Sequence, residues 1–85
     1  MGGYRLVIHR KARKALERLP AAALERLREA LAEIAERPRR GDRHLKGEYH
    51  CLWRRQAGDL RVIYRVSDSA GVVAVVEICW RRSCY

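Results

Sequence analysis

The chain has 85 residues, enough for one domain near the lower size limit of a single hydrophobic core, and we expect residues 1–85 to form that domain. Its formal net charge is +9, and 16 of its 19 basic residues are arginine, whose planar guanidinium suits phosphate, so nucleic acid is the first partner to consider, ahead of a membrane surface. The sequence has no apolar run near the ~20 residues of a membrane span and no signal-peptide pattern, which excludes a membrane-spanning protein and leads us to expect a cytoplasmic one.

The first half of the chain is predicted to form one strand and two helices. Residues 4–8, YRLVI, alternate and are rich in β-forming residues, which predicts a strand. Apolar residues recur at helical spacing over residues 10–19 and 21–37, and a proline follows each segment and ends it. The second segment carries its apolar stripe at Leu24, Leu27, Leu31 and Ile34. We therefore expect a helical hairpin that covers one face of a sheet.

The second half is predicted to form a loop and three strands. Residues 38–50, PRRGDRHLKGEYH, have no sustained period and contain Pro and two Gly, which predicts a basic connecting loop. Three strand-like runs follow, HCLWRRQ, LRVIYRV and VVAVVEICW, and their short separators AGD and SDSAG are typical of antiparallel hairpins. The element order predicts an α+β domain with a small antiparallel-rich sheet. One face of the sheet packs against the N-terminal helical hairpin, and the other face is free.

Residues of a strand alternate between the two faces of a sheet, which predicts the side chains on the free face. In the last strand the more continuous apolar row is expected to face the helices: Val72, Ala74, Val76, Ile78 and Trp80. The other row is then Val73, Val75, Glu77, Cys79 and Arg81. In the preceding strand the apolar row is Leu60, Val62 and Tyr64, and the opposite row is Arg61, Ile63 and Arg65. Trp53 is expected in the core, which places Arg54 on the free face with Arg61 and Arg81.

The positive charge is concentrated in the middle of the chain. Residues 37–65 contain nine basic residues and three acidic ones, whereas residues 66–85 carry no net charge. Abundant arginine also accompanies a high GC content in the genome, but that origin does not explain the clustering. The distribution favours a surface that binds a polyanion.

The three cysteines give no sign of a metal site. Cys51, Cys79 and Cys84 lack the paired spacing of zinc ligands, and their number is odd. We interpret them as reduced thiols in a cytoplasmic protein, and no metal or other cofactor is expected.

Three stretches are specific in combination: ARKALERLP, HLKGEYHCLWRRQAGDLRVIY and the closing ICWRRSCY. Through them the sequence, from Tyr4 to Tyr85, resembles the RelE/ParE toxin superfamily of bacterial and archaeal toxin–antitoxin systems. The RelE-like branch is favoured, because gyrase-directed members usually lack an Arg and Tyr pair such as Arg81 and Tyr85. The resemblance implies a RelE-like fold of order β-α-α-β-β-β and a toxin of a type II toxin–antitoxin system.

The resemblance also implies an activity and its residues. Toxins of the RelE branch enter the ribosomal A site and cut the bound mRNA without a metal, which implies a ribosome-dependent endoribonuclease that inhibits translation. Carried over position by position, the implied catalytic residues are Arg54, Arg61, Arg81 and Tyr85. The neighbouring basic residues predicted to bind RNA are Lys46, Arg55, Arg65 and Arg82. Because WRRQAGD departs from the family pattern, a bulge would be able to turn Arg55 onto the free face in place of Arg54.

The groups that would move protons stay open at this stage. Attack by the ribose 2′-OH and loss of the 5′-oxygen need a base and an acid, and arginine stays protonated at neutral pH. The candidates are Tyr85, His50 and His44, although a histidine in a strand or loop is more often a surface or packing residue. Trp53 and Trp80 are expected in the core rather than stacked on RNA bases.

Two other functions fit the sequence. One is a ParE-like toxin that poisons DNA gyrase through protein contacts alone, and the other is a basic RNA-binding module without catalysis. In every toxin interpretation the partner is a small acidic antitoxin that covers the basic face and forms a toxin–antitoxin hetero-oligomer. The endoribonuclease interpretation adds the ribosome and mRNA as partners, and no membrane partner is expected.

Overall fold

The computed structural model describes residues 3–45 and 51–82, which form two helices and a five-stranded sheet. In chain order the elements are β1 (Arg5–Ile8), α1 (Arg10–Glu17), α2 (Ala21–Glu36), β2 (Arg43–His44), β3 (Trp53–Ala57), β4 (Leu60–Ser67) and β5 (Val72–Trp80). The predicted α+β architecture is confirmed, and each predicted helix and strand is present within a few residues of its expected bounds. The two-residue strand β2 is additional, and it lies in a stretch predicted to be a loop.

The strands are ordered β1-β5-β4-β3-β2 across the sheet. β1 is parallel to β5, and the other neighbours are antiparallel. A parallel pair needs a long connection, and the helices and the intervening strands supply it. The two hairpin turns contain Gly58 and Gly71 with positive φ values of 64° and 66°, a backbone conformation that glycine adopts without strain. The antiparallel hairpins expected from the short separators are thus present.

The hydrophobic core lies between the helices and one face of the sheet. Its buried residues are Ala12, Leu27, Leu31 and Ile34 from the helices, and Leu60, Val62, Tyr64, Val73, Val75 and Ile78 from the strands. The predicted apolar stripe of α2 is confirmed at three positions, while its first member, Leu24, is only half-buried. Trp53 packs against this core as expected.

A bulge interrupts the pairing of β4 with β5. Ile63 lies opposite Glu77, whereas the next residue, Tyr64, lies opposite Val75. Val76 is therefore an extra residue in β5, and the alternation of side chains changes face at that point.

The bulge decides which residues of β5 reach the core. Before it, Val73 and Val75 face the helices and are fully buried. The prediction that the other row, Val72, Ala74 and Val76, faces the helices is wrong. After the bulge, Ile78 is buried in the core as predicted. Trp80 is 45% exposed, so its expected place in the core is also wrong.

Two further observations complete the fold. Cys79 is disulfide-bonded, so the expectation of reduced thiols is wrong for that residue, while Cys51 is free and exposed.

Within residues 3–45 and 51–82, neither helix is long and apolar enough to cross a membrane.

Candidate functional site

Three arginines lie together on the face of the sheet that points away from the helices. Arg43 of β2 is opposite Arg54 of β3, and Arg61 of β4 is opposite Gln56, two residues further along β3. Burial, followed by the positive charges of Arg61 and Arg43, lowers the pKa of the Arg54 guanidinium. Like charges held this close repel one another until an anion binds. We call Arg43, Arg54 and Arg61 the arginine cluster.

The alternation along β3 and β4 correctly placed Arg54 and Arg61 on this face. Arg43 was missed, because two residues are too few to give a strand pattern in a stretch that contains Pro and Gly. A signal was nevertheless present, since Arg43 belongs to the most basic segment of the chain.

The centre of this face is less open than expected. Ile63 lies on it between Arg54 and Glu77 and is fully buried, so the neighbouring side chains cover it. Glu77 forms an ion pair with Lys11 of α1 at 3.5 Å. The arginine cluster therefore lies next to a buried apolar residue, Ile63, which has the carboxylate of Glu77 on its other side.

Arg55 points to the opposite face of the sheet. Its Nε lies 2.7 Å from Asp42 Oδ1, and its Nη1 lies 2.8 Å from Glu33 Oε1. β3 pairs with β4 in regular register, so no bulge turns Arg55 toward Arg54. The structure thus places Arg55 on the other face of the sheet from Arg54 and Arg61.

Asp42 also accepts a hydrogen bond from the Tyr64 hydroxyl, which is buried in the core. The backbone N–H of Arg39 donates to the same hydroxyl at 2.8 Å. Burial and the hydrogen bond to Asp42 raise the pKa of Tyr64 well above its usual value. These contacts hold the segment between α2 and β2 against the face of the sheet that packs on the helices.

Arg81 and Arg82 follow the end of β5 and are exposed. With Asp59 and Trp80 they line a cavity of about 560 Å³ at the end of the sheet. The Arg81 N–H donates to the Asp59 carbonyl oxygen at 2.7 Å, which fixes the backbone just beyond the strand. The arginines at the C-terminal end thus lie beside an exposed aromatic ring.

Arg65 is exposed on the same face as Arg61, opposite Ala74. The two arginines are four residues apart in β4, or about 13 Å along the strand. Arg65 thus stands at the far end of the face from Arg61.

The histidine in β2 lies apart from the arginine cluster. The His44 ring stacks on Trp53, with centroids 4.5 Å apart and an interplanar angle of 18°, on the side of the sheet that faces the helices. The other predicted site residues, Lys46 and Tyr85, and the candidate His50 lie outside the described residues. Within the described part of the chain, no three His, Cys, Asp or Glu side chains are grouped so as to hold a metal ion.

Comparison with known families assigns the chain. The model of the family described as ParE toxin of type II toxin-antitoxin system, parDE, matches residues 6–83. The chain belongs to this family. It is a toxin of a type II toxin–antitoxin system within the RelE/ParE superfamily, and the resemblance seen in the sequence is confirmed. No match was found among curated proteins.

Solved structures similar to this toxin include RelE proteins and their complexes. The toxin–antitoxin complex RelBE2 from Mycobacterium tuberculosis has a TM-score of 0.86 and 26% identity, covering 95% of this chain and 94% of that chain. The RelE–RelB complex from Pyrococcus horikoshii has a TM-score of 0.79 and 29% identity, covering 98% and 100%. The isolated Escherichia coli RelE toxin has a TM-score of 0.79 and 26% identity, covering 91% and 83%.

Proposed function

We propose that this toxin is a ribosome-dependent mRNA endoribonuclease that inhibits translation and acts without a metal. The observation that carries the proposal is the arginine cluster, which concentrates positive charge on one face of the sheet. The similarity to RelE toxins supports it at the level of the fold. A cluster of this kind suits a polyanion with closely spaced charges, such as an RNA backbone.

The proposed reaction is transesterification at one phosphate. The ribose 2′-oxygen forms a bond to phosphorus and the bond from phosphorus to the 5′-oxygen breaks, which leaves a 2′,3′-cyclic phosphate and a 5′-hydroxyl. A base accepts the 2′-OH proton, and an acid supplies a proton to the 5′-oxygen.

The arginines supply electrostatic stabilisation in this reaction. Arg54 orients the RNA backbone, and Arg61 and Arg81 stabilise the charge that grows on the phosphate, because each guanidinium stays ionised and offers several donors. Tyr85 and His50 stay the candidates for proton transfer. His44 is the weaker candidate, since its ring stacks on Trp53 on the other side of the sheet.

The proposed partners are a small acidic antitoxin, the ribosome and mRNA. Several solved relatives are complexes of RelE with RelB. We expect the antitoxin of this toxin to cover the same basic face and to block access of RNA to it.

The test is cleavage of mRNA on programmed ribosomes by the purified toxin, with no metal added beyond the magnesium that ribosomes require. Arg61→Ala and Arg81→Ala should each lower the cleavage rate by about 10²–10³, the loss expected when one charge-stabilising donor is removed. Arg28→Ala is the matched control, because Arg28 is exposed on α2 and its loss changes the net charge equally. Undiminished cleavage by the Arg61 and Arg81 variants would refute the catalytic assignment.

A second candidate function is inhibition of DNA gyrase, which the match to the parDE family model favours. It predicts loss of gyrase supercoiling activity in the presence of the toxin, with mRNA left intact on ribosomes. RNA that is bound but never cut, with gyrase unaffected, would instead identify a non-catalytic RNA-binding module.

A further inference from the structure

Arg43 and Arg54 form an unfavourable pair at the edge of the sheet. They lie directly opposite each other in the antiparallel pair of β2 and β3, where Cβ atoms are about 4.5–5.5 Å apart. β2 contains only two residues, so few ladder hydrogen bonds hold it in place. Like charges at such a position should push the short strand away from β3.

An ion pair on the other face of the sheet opposes this repulsion. Asp42 immediately precedes Arg43, and Arg55 immediately follows Arg54, so their side chains meet behind the two arginines. Asp42 Oδ1 and Arg55 Nε are 2.7 Å apart, and the side chains are only 4% and 13% exposed. A charge-assisted hydrogen bond that is so well shielded from water is much stronger than an exposed one.

The Arg43–Arg54 pair lies beside an open groove that includes residues from both faces of the sheet edge. A cavity of about 490 Å³ lies at the edge of the sheet where β2 meets β3. It is lined by Arg40, Arg43, Arg54 and Gln56, and also by Arg55 and its ion-pair partners Glu33 and Asp42. Within the described residues, neither Arg43 nor Arg54 forms an ion pair with a carboxylate. Their donors are therefore available to an anion that enters the groove.

We propose that Arg43 is a further RNA contact of this toxin, binding a backbone phosphate next to the one bound by Arg54, and that the Asp42–Arg55 ion pair is the positioning device that holds the two arginines side by side. The inference rests on the proposed function for the nature of the polyanion. RNA is favoured over an acidic peptide because the planar donors of two adjacent guanidinium groups match successive phosphates.

The first experiment measures binding separately from cleavage. The probe is a fluorescent single-stranded RNA with 2′-O-methyl groups, which lacks the attacking hydroxyl, and its affinity is measured by anisotropy between 50 and 300 mM salt. Arg43→Ala should weaken binding about tenfold at the lowest salt, the effect of one hydrogen bond to a charged group. It should also reduce the slope of log affinity against log salt by ~0.7, the value for one phosphate contact on a single strand.

Arg28→Ala, with the same change in charge, should leave the salt slope unchanged. An unchanged slope in Arg43→Ala, or no binding of this RNA by the wild-type toxin, overturns the proposal. The proposal is also overturned if Arg43→Ala weakens binding of an acidic antitoxin peptide but leaves the affinity for RNA unchanged. If the wild-type toxin binds this RNA through Arg43 but cuts no mRNA on ribosomes, the proposed endoribonuclease fails and the assignment of Arg43 stands.

The second experiment tests the positioning role by a double-mutant cycle. Arg55→Lys keeps the charge but loses the Nε–H group that donates to Asp42, and it should weaken RNA binding severalfold when Arg43 is present. In the Arg43→Ala background the same substitution should have no further effect on RNA affinity. A purely structural role would lower the melting temperature and the RNA affinity in both backgrounds alike, and additive effects on affinity would overturn the positioning role.

Discussion

Arg55 has two carboxylate partners that differ greatly in exposure. The Asp42 side chain is 4% exposed, whereas the Glu33 side chain is 71% exposed. Water screens the second pair and has little access to the first. Two contacts of similar length to the same guanidinium should therefore contribute very differently to stability.

Asp42→Asn should lower the free energy of unfolding by about 3 kcal/mol, because it leaves Arg55 partly buried without its main counter-charge. Glu33→Gln should cost less than about 1 kcal/mol. Urea unfolding of the two variants beside the wild type checks both values. Equal losses would show that the burial of Asp42 does not set the strength of its pair.

Asp68 should make the free energy of unfolding depend on pH in the acidic range. It accepts hydrogen bonds from the Tyr4 hydroxyl at 2.6 Å and from Arg39 Nη2 at 3.0 Å, and these contacts lower its pKa, the Tyr4 contact most. A carboxyl whose pKa is lower when folded stabilises the protein above its unfolded pKa, near 3.9, and loses that contribution as the pH falls through the folded pKa.

The stability difference between wild type and Asp68→Asn should thus be constant above about pH 5 and shrink as the pH falls below about 4. Urea unfolding at a series of pH values measures it. Tyr4→Phe, which removes the main donor to Asp68, should show a smaller acid dependence than the wild type. A difference that persists undiminished to pH 2 would contradict the role of these hydrogen bonds.

Single residues on regular strands were predictable. Arg54 and Arg61 lie on β3 and β4, which pair without a bulge over these positions, so a period of two was enough to place them. Arg55 was predicted to bind RNA, and its ion pairs with Asp42 and Glu33 depend on residues 13 and 22 positions away in the chain. Such distant partners leave no trace in a local pattern.

The bulge in β5 determines which residues of that strand are buried against the helices. β5 reads as a nearly continuous apolar run, so its sequence leaves the choice of buried row ambiguous. The extra residue Val76 resolves the ambiguity by placing Val73 and Val75 against the helices before the bulge and Ile78 after it. The residues of β5 that face the core are therefore odd-numbered before the bulge and even-numbered after it.

Val75→Ala should lower the free energy of unfolding by about 2–3 kcal/mol, because Val75 is fully buried and its loss leaves a cavity. Val76→Ala removes the same atoms from a half-buried position and should cost less than about 1 kcal/mol. Thermal or urea unfolding of the pair compares them directly. Alternation without a bulge places Val76 in the core, so a larger loss of stability in Val76→Ala than in Val75→Ala would argue against the bulge.

The net charge of the whole toxin should affect its rate of association with its antitoxin. A net charge of +9 on 85 residues produces a positive field that extends beyond single contacts. If the partner is a small acidic protein, attraction should accelerate their encounter, and dissolved salt should screen it.

We expect the association rate of toxin and antitoxin to fall by about tenfold or more between 50 and 500 mM salt. Stopped-flow fluorescence with the exposed Trp80 as reporter measures this rate. The dissociation rate should change much less, since steering acts before contact. An association rate independent of salt would rule out steering by the net charge.

Composition and periodicity alone determined the fold class, the helical hairpin, the hairpin strands and the basic character of one sheet face, because each depends on local propensity and on the distribution of charge along the chain. Only the tertiary structure decided the face of Val75, the place of Arg43 beside Arg54 and the burial of Arg55 with Asp42. These features arise where strands distant in sequence pair, since a bulge or a two-residue strand exists only by virtue of the neighbour it pairs with.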